Sequence, residues 1–502
     1  MNLFEAVFAN DPFSPAIHYE GRELTYGELR ASTLRMAQAI TSLGVGRGDR
    51  VALLLNDSPE FIEAFVATCS LGAIAVPVNM SLRLDEQCSI LHNSGSTVAL
   101  VEEELCNTLP TRVRNTDQIR IYSVKSVLDN LGDAPLPEFP TPNEDDPAFI
   151  LYTSGSTGEP KGAVHRQADV FYTNQTFCRE VLRVTANDRL FSSSRLPFAY
   201  GLGNSFTFPL LNGATAILCR EKPSLDVIAN ILAHARPTIF FAVPVVYNLL
   251  LDHHRSGKKL DCSSLRLCVS AGEALPAHLG EEWEREFRVP VLDGIGSTEM
   301  LHMFMSNHEN DVRYGSSGRM LDGYEARLID EHGEPTPDNV EGNLWIKGDS
   351  ASRYYWERPD ETARTFVDGW VRTGDLYRRD SHGYWFHMGR SDDCFKSSGQ
   401  WVSPVEVEGV LLRHPGVRSV AVVEDFDADH LPCACAFVVK QDVESDAVAL
   451  ENELRESAAA ALPRFKQPRK YVFVDELPYT ATGKIQRFKL RQQLKNHRSH
   501  DE

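Results

Sequence analysis

A loop rich in glycine and hydroxyl groups is the strongest chemical signal in the sequence. The segment YTSGSTGEPKG, residues 152–162, follows the apolar residues 149–151, so a buried strand is expected to lead into it. Glycine lets the main chain approach an anion closely, hydroxyl groups donate hydrogen bonds to phosphate oxygens, and lysine adds a mobile positive charge. The pattern therefore predicts a phosphate-binding loop. Its members are Thr153, Ser154, Gly155, Ser156, Thr157, Gly158 and Lys161.

The loop differs from the nucleotide P-loop. That motif needs a lysine directly after a glycine and directly before a serine or threonine, whereas Lys161 lies between Pro160 and Gly162. An ordinary kinase or GTPase is therefore excluded. A flexible Gly/Ser turn without a ligand is the competing interpretation when the loop is considered alone.

Charge and composition narrow the class of partner. The chain has 502 residues, 42% of them hydrophobic, which is enough for two or more domains with their own cores. Its formal net charge of -19 disfavours a nucleic acid or an anionic membrane as partner. The ten cysteines match neither a zinc site nor a CxxC redox motif and are expected to be reduced and mostly buried. No targeting segment or apolar run of membrane-spanning length is found, so we expect a soluble, unprocessed, cytoplasmic protein.

The first three fifths of the chain alternate between helical and strand patterns. Thr25 and Glu28 have the spacing of a capping box, and the helix that they start is expected to stop at Gly44. A second helix is expected over residues 59–71. Short apolar strands are predicted at 51–55, 73–76, 149–152, 215–218 and 238–243. This alternation predicts parallel sheets covered by helices.

The pattern changes after about residue 320. Segments 325–329, 342–347 and 384–388 alternate in polarity between turn residues, which predicts an antiparallel, partly barrel-like region. From residue 389 a small α+β domain is expected, with a helix at 405–414, strands at 417–423 and 434–440, and a helix from 447. The Pro-rich and acidic residues 135–147 are expected to form a surface connector into the phosphate loop.

Three further motifs give the phosphate loop a context. They are DGIGSTEM at 293–300, WVRTGDL at 370–376 with GRSDD at 389–393, and PYTATGKIQR at 478–487. In this order and spacing, the chain resembles the adenylate-forming superfamily of acyl- and aryl-CoA ligases, luciferases and peptide-synthetase adenylation domains. The resemblance implies an α/β protein whose large N-terminal domain, residues 1–391, has two doubly wound α/β subdomains and a distorted β-barrel. A small, mobile α+β lid domain, residues 392–502, would follow a hinge at Asp392.

The resemblance also implies ATP, Mg²⁺ and CoA as reactants, with CoA as a substrate. Lys484 would reach the carboxylate and the α-phosphate during adenylation. Thr298 would hold phosphate oxygens, and Glu299 would hold Mg²⁺. Asp375 would accept hydrogen bonds from the ribose hydroxyls, with Arg390 as its basic companion. Adenine is expected against Gly272, Glu273, Asp293 and Gly294.

The same site is expected to work twice. After adenylation the small domain would rotate, withdraw Lys484 and present the loop around Ser398 and Gly399 to a pantetheine thiol. Phe198 would lie on the same thiol tunnel. A plain flexible linker with a turn glycine is the alternative interpretation of residues 398–399.

The segment RLPFAYGLGNSFTFPL, residues 195–210, resembles the benzoate-CoA ligase group within the superfamily. Phe198 would be the gating aromatic residue, and Ala199, Tyr200 and Gly201 would line a flat slot suited to an aromatic ring. A second match after Glu299 adds Ile295, Leu301 and His302 to the pocket. His302 would bond a ring substituent or the carboxylate, or else is a core histidine satisfied by the backbone.

The sequence thus predicts an ATP-dependent aryl-acid CoA ligase. The polar residues 192–195 before the gate leave the ring substituent open among benzoate, 2-aminobenzoate and the hydroxybenzoates. A carrier-protein pantetheine is the alternative acceptor, and a non-catalytic binding or sensor protein is the alternative of another class. The oligomeric state is left open, a homodimer included. Candidates for binding the CoA phosphates are Arg464, Lys466, Arg469 and Lys470.

Overall fold

The computed structural model describes residues 2–106, 109, 119–131, 135–154, 160–221, 223–397, 400–427, 431–444, 446–479 and 485–501. Its strands form two large sheets, an antiparallel sheet and smaller sheets in the C-terminal part. The predicted fold class, mixed α/β with a smaller α+β C-terminal part, is confirmed.

The first sheet carries the predicted phosphate loop. Its neighbouring strands pair in parallel except for the last two, which form an antiparallel hairpin. Its inner strands are buried on almost every residue, as expected of a parallel sheet covered by helices. In spatial order the described strands are Arg120–Ser123, Val98–Val101, Arg50–Leu54, Ile74–Pro77, Pro147–Ser154 and Pro160–Arg166.

The second sheet carries the adenine and acid motifs. It is parallel in its middle and antiparallel at both edges. The predicted strands at 215–218 and 238–243 lie in its interior. In spatial order the described strands are Arg319–Met320, Met303–Ser306, Val291–Gly296, Leu267–Ser270, Ile239–Ala242, Arg189–Ser192, Thr215–Leu218, Pro15–Tyr19 and Arg22–Thr25.

Local sequence signals start and stop the helices. The predicted capping box is confirmed, because the Thr25 N–H donates to Glu28 Oε2 (2.8 Å) and the Glu28 N–H donates to Thr25 Oγ1 (3.2 Å). The described helices are Leu3–Val7, Tyr26–Ser42, Pro59–Ser70, Leu84–Ser94, Val124–Asp129, Gln167–Thr173 with its extension Asn174–Leu182, Ala199–Leu202 with its extensions Gly203–Thr207 and Phe208–Leu211, Leu225–His234, Pro244–Arg255, Ala277–Phe287, Pro359–Thr365, Pro404–Leu411, Ala447–Ala461 and Arg487–Asp501.

An antiparallel sheet corresponds to the predicted distorted barrel. It contains Glu325–Ile329, Gly342–Lys347, Trp370–Arg379 and Phe366–Val367, with Trp385–Arg390 paired on Trp370–Arg379. The strand predicted at 384–388 thus extends to Arg390, which places that arginine inside the sheet.

The C-terminal part is a small α+β unit. Strands Val417–Phe426, Pro432–Lys440 and Lys470–Phe473 form its sheet, and Phe395–Ser397 pairs with Gln400–Val402 in a separate hairpin. Helix Pro404–Leu411 ends three residues earlier than the predicted span of 405–414. The predicted domain boundary at residue 392 stays a prediction.

The state of the cysteines agrees with the prediction from the sequence. All ten cysteines lie in the described residues, are thiols rather than disulfides, and are buried or half-buried. Among the described helices, none is long and apolar enough to span a membrane.

Candidate active site

The predicted phosphate loop joins two antiparallel strands. Strands Pro147–Ser154 and Pro160–Arg166 pair up to the loop, with Thr153 opposite Lys161 and Ser154 opposite Pro160. Gly162 has no room for a side chain, because a Cβ would lie 2.6 Å from Ile150 Cγ2. A P-loop runs from a strand into a helix, so the strand–loop–strand arrangement supports its exclusion here. The predicted members Gly155, Ser156, Thr157 and Gly158 lie outside the described residues.

A buried histidine attaches this hairpin to the Thr298–Glu299 motif. His165 is fully buried, and its Nε2 lies 2.8 Å from the carbonyl oxygen of Thr298. Because a carbonyl oxygen only accepts, Nε2 carries the proton and donates it. On the other side of the ring, Nδ1 lies 3.0 Å from Oδ2 of Asp169, whose Oδ1 pairs with Arg166 (2.7 Å). The end of the hairpin therefore sets the position of Thr298.

Glu299 is held from a segment that sequence reasoning did not select. Tyr355 Oη donates to Glu299 Oε1 (2.6 Å), and the Ser352 N–H donates to the Glu299 carbonyl oxygen (2.7 Å). Burial, reinforced by the charge of Glu299, raises the pKa of Tyr355, so the phenol keeps its proton. Both Thr298 and Glu299 are half-buried and remain accessible from the solvent side.

Asp375 and Arg390 meet in the antiparallel sheet, as neighbours on paired strands. Arg390 Nη1 lies 3.2 Å from Asp375 Oδ1 and donates to the Thr373 carbonyl oxygen (2.8 Å). Burial lowers the pKa of the Arg390 guanidinium, but the carboxylates of Asp375, Asp392 and Glu299 raise it, and the net shift is upward. Arg390 therefore lies in the electric field of both predicted nucleotide-binding carboxylates.

The predicted adenine residues follow two neighbouring strands of the second sheet. Gly272 comes just after Leu267–Ser270 and has a φ of +95°, a conformation that favours glycine. Asp293 and Gly294 lie in Val291–Gly296, and a Cβ at Gly294 would come 2.6 Å from the Met305 carbonyl oxygen. Asp293 is 2% exposed, and burial raises the pKa of its carboxyl well above the usual range. Its side chain is thus enclosed by the protein.

Glu273 connects the two parts of the chain. Its Oε1 accepts a hydrogen bond from the Ile485 N–H (3.4 Å). Ile485 directly follows Lys484, which lies outside the described residues. The C-terminal part therefore contacts the predicted adenine segment through the residue next to Lys484.

The predicted acid pocket begins at the N-terminus of a helix. Phe198 is the N-cap of helix Ala199–Leu202, and both Phe198 and Ala199 are half-buried. Gly201 packs against the chain before the gate, since a Cβ there would lie 2.1 Å from the Arg195 carbonyl oxygen. Tyr200 Oη donates to the Val269 carbonyl oxygen at 3.1 Å. The helix thus faces the second sheet through Tyr200.

His302 lies in an aromatic surrounding next to this helix. Its ring centre is 4.6 Å from that of Phe208, 5.3 Å from Phe177 and 5.7 Å from Tyr200. Its Nε2 lies 3.2 Å from Oδ1 of Asn204. Burial lowers the pKa of His302 to about 3, so the ring is neutral near pH 7.

Gly203 is packed against this histidine. A Cβ at Gly203 would lie 2.5 Å from His302 Cδ2 and 2.7 Å from Nε2. Leu301, directly before the histidine, is buried and has a φ of +63°, while Ile295 is half-buried. The structure therefore brings the two predicted pocket segments, 198–203 and 295–302, together.

Two comparisons place the chain among known proteins. Residues 4–356 match the family of AMP-binding enzymes, and residues 406–484 match the AMP-binding enzyme C-terminal domain. The chain belongs to the AMP-binding enzyme family. A benzoate–CoA ligase of Thauera aromatica is 41% identical over 477 residues, which cover 93% of this chain and 90% of that enzyme.

Solved structures show the same similarity. An anthranilate CoA ligase in complex with anthranoyl-AMP matches with a TM-score of 0.93 at 35% identity, covering 98% of this chain and 97% of that one. A benzoate CoA ligase from Burkholderia xenovorans matches with a TM-score of 0.90 at 37% identity, covering 98% of this chain and 100% of that one. The family resemblance predicted from the motifs is confirmed.

The donor set of this AMP-binding enzyme fits magnesium. Among the described residues, no group of three or more His, Cys, Asp or Glu side chains could hold a metal alone. Magnesium bound with a nucleotide usually takes one or two carboxylates and the substrate phosphates, so the accessible carboxylate of Glu299 is a suitable ligand.

The basic residues suggested for CoA are mostly paired. Lys466 Nζ lies 2.5 Å from Glu406 Oε2, and Lys470 Nζ lies 2.6 Å from Asp425 Oδ2. Arg469 pairs with Asp427. These ion pairs reduce the free positive charge that the segment offers to a phosphate.

The predicted roles of the site residues all stay predictions, and several of these residues lie outside the described part of the chain. Ser398 and Gly399 lie outside the described residues, and so does Lys484. Asp392 is exposed directly after Ser391, whose N–H donates to the Gly374 carbonyl oxygen (2.9 Å). Sequence reasoning missed Tyr355, Asn204 and His165. Asn204 lies within the predicted acid-pocket segment 195–210, and His165 follows shortly after the phosphate loop, so both lie in or beside a motif that the sequence shows. No sequence pattern marks Tyr355.

Proposed function

We propose that this AMP-binding enzyme is an ATP-dependent ligase that converts an aryl carboxylic acid of the benzoate type into its CoA thioester. One observation carries the proposal. The phosphate-loop hairpin is hydrogen-bonded to the Thr298–Glu299 motif, and Arg390 of the Asp375–Arg390 pair lies in the electric field of Glu299, next to the predicted acid pocket where aromatic rings surround His302. Benzoate–CoA and anthranilate–CoA ligases are among its relatives over nearly the full chain.

The first half-reaction joins two anions. A carboxylate oxygen of the acid attacks the α-phosphorus of ATP, and the bond to pyrophosphate breaks. The loop hydroxyls and Lys161 hold the outer phosphates, and Asp375 accepts hydrogen bonds from the ribose hydroxyls. Lys484 brings a positive charge to the α-phosphate, where negative charge develops in the transition state. Magnesium on Glu299, when bound, neutralises phosphate charge.

The second half-reaction releases AMP. The CoA thiolate attacks the acyl carbon, and the bond to the AMP oxygen breaks. We place the entry of the thiol at Phe198, Ser398 and Gly399, after rotation of the C-terminal domain about Asp392. Removal of Lys484 from the site would clear the path.

The acid is proposed to be a small planar benzoate. A neutral His302 beside Asn204 offers a polar contact without a charge, so the ring end of the pocket suits benzoate or 2-aminobenzoate rather than an anionic substituent. Phe208 packs edge-on and Tyr200 packs at a tilt against His302, and we propose that these bulky rings leave no room for a long acyl chain.

A substrate panel tests the proposal. ATP–pyrophosphate exchange is measured with benzoate, 2-aminobenzoate, 3- and 4-hydroxybenzoate and hexanoate. We expect exchange with benzoate or 2-aminobenzoate and less than about one hundredth of that rate with hexanoate. Exchange with hexanoate but with none of the aryl acids would contradict the aryl assignment.

The acceptor is tested separately. Thioester formation is followed with free CoA and with holo carrier proteins under the same conditions. Turnover with free CoA supports the ligase. Turnover with a carrier protein and none with CoA would replace it by a stand-alone adenylation enzyme.

A further inference from the structure

The segment 350–356 links the phosphate-loop hairpin to Glu299. On the hairpin side, the Trp356 N–H donates to the Gly162 carbonyl oxygen (2.8 Å), and Tyr355 forms a β-bridge with Ala163. On the other side, Ser350 Oγ donates to the Met300 carbonyl oxygen (2.9 Å), and the Ser352 N–H bonds the carbonyl of Glu299. We call this segment the strap.

One side chain of the strap reaches the carboxylate itself. Tyr355 is 6% exposed, and its hydroxyl donates to Glu299 Oε1 at 2.6 Å. In the described part of the chain, Glu299 Oε2 has no hydrogen-bond partner. A hydrogen bond to one carboxylate oxygen fixes the direction in which the other oxygen points. Residues that do not touch a metal commonly orient its ligands in this way.

The phenol is itself held in place. The Tyr355 N–H donates to Thr362 Oγ1 (3.0 Å), and its ring packs edge-on against Phe366 at 5.3 Å between centres. The ammonium of Lys161, on the phosphate loop, lies 5.7 Å from the Tyr355 ring centre. Tyr355 thus stands between a residue of the phosphate loop and the proposed metal ligand.

We propose that Tyr355 is a positioning residue for the metal–nucleotide complex, acting through the carboxylate of Glu299. The inference rests on the proposed function, because it assigns Mg²⁺ to Glu299. Without this hydrogen bond, the Glu299 side chain would be free to occupy several rotamers. Rotamers that turn the carboxylate away from the metal would lower the fraction of enzyme that can bind it. The hydrogen bond from Tyr355 selects one orientation before the nucleotide arrives.

Tyr355→Phe removes the hydroxyl and keeps the ring. Binding of ATP is measured by calorimetry without acid, once in excess Mg²⁺ and once in EDTA. In the wild type, the ratio of the two affinities reports the contribution of the metal. We expect this ratio to fall about tenfold in Y355F, with the affinity for metal-free ATP unchanged.

Kinetics separate positioning from a general loss of structure. In ATP–pyrophosphate exchange, Y355F is expected to raise the KM for MgATP about tenfold and to leave the KM for the acid unchanged. Thioester formation from a supplied aryl-adenylate is expected to stay within about twofold of wild type, because no metal-bound pyrophosphate takes part.

Two further variants sharpen the test. Tyr354→Phe is the matched control. It removes the same hydroxyl group from the neighbouring tyrosine, which is 36% exposed. Glu299→Gln removes the charge through which Tyr355 is proposed to act. In the E299Q background, Y355F should change the affinity for MgATP by less than about twofold, since the two residues act as one unit.

The outcomes distinguish the two proposals. A wild-type enzyme without Mg²⁺-dependent ATP binding or exchange would contradict the proposed function. A normal wild type with a Y355F variant whose Mg²⁺ ratio is unchanged would overturn the role of Tyr355. Equal weakening of ATP binding with and without Mg²⁺ would show a merely structural tyrosine and would overturn it too.

Discussion

Arg390 and Asp375 are direct partners on two antiparallel strands, and Arg390 Nη1 lies 3.2 Å from Asp375 Oδ1. The arginine packs against Gly374, where a Cβ would come 2.7 Å from Arg390 Nη2. The glycine between Thr373 and Asp375 therefore gives the guanidinium its place beside the carboxylate.

Gly374→Ala is expected to weaken ATP binding by displacing Arg390. Loss of one hydrogen bond to a charged group corresponds to about tenfold in the KM for ATP. Gly369→Ala is the matched control, since Gly369 has a φ of +78° against +74° at Gly374 but no atom within 4 Å of its Cβ position. Both variants carry the same backbone strain, so equal KM values for ATP would refute the clash with Arg390.

Gly203→Ala is expected to disturb the acid pocket alone. The new methyl group would push His302 out of its aromatic surroundings, because it would lie 2.5 Å from the ring. We expect the KM for benzoate to rise at least about tenfold and the KM for ATP to stay unchanged. Gly409→Ala, on a helix with no atom within 4 Å of the added Cβ, serves as the control. A G203A enzyme with normal KM for benzoate would exclude His302 from the pocket.

His302 is expected to make the fold less stable in acid. Its folded pKa of about 3 lies below the ordinary 6.5, so its contribution is complete above about pH 6.5 and is lost as the pH falls toward 3. Between pH 7 and pH 5 the loss amounts to about 2 kcal/mol. The measurement compares urea unfolding of wild type and His302→Phe at both pH values.

The comparison with His302→Phe is needed because other buried groups act in the opposite direction. Burial raises the pKa of Asp57 to about 6 and that of Glu63 to about 7, so both favour the folded state at acid pH. These contributions cancel between wild type and variant. If the difference in unfolding free energy between the two proteins is the same at pH 7 and pH 5, His302 does not titrate as the structure indicates.

Lys484→Ala is expected to separate the half-reactions. The lysine supplies charge only where the α-phosphate reacts, so pyrophosphate exchange should fall by at least about a thousandfold. Thioester formation from a supplied aryl-adenylate should remain within about threefold of wild type. Lys489→Ala, on the exposed face of the C-terminal helix, provides a control for loss of a positive charge. Equal losses in both half-reactions would disprove the division of labour.

The motifs of the site could be predicted from sequence because each is local. The capping box at Thr25, the glycine-rich loop, Thr373–Asp375 and the sequence around Glu299 each need only a few consecutive residues. Their chemistry follows from residue type, and their order along the chain is enough to indicate the family. The alternation of strands and helices is local in the same way, and the predicted strands begin within two residues and end within three residues of their observed limits.

Contacts across long separations could not be predicted. Tyr355 bonds a carboxylate 56 residues away, and His165 bonds a carbonyl 133 residues away. Neither residue type nor spacing predicts such a partner, because the contact depends on which segments of the chain the fold brings side by side. Three of the four basic residues in the segment 464–470 pair with acidic partners, and this pairing was hidden for the same reason.

By itself the sequence determined the family, the alternating α/β pattern and the residue types that can hold phosphate, ribose and metal. Only the tertiary structure decided how these groups are oriented. It buried Asp293, kept His302 neutral among aromatic rings, and placed a tyrosine hydroxyl on Glu299. Burial and orientation depend on the packing of distant segments, and they control both the charge of a side chain and the direction in which it acts.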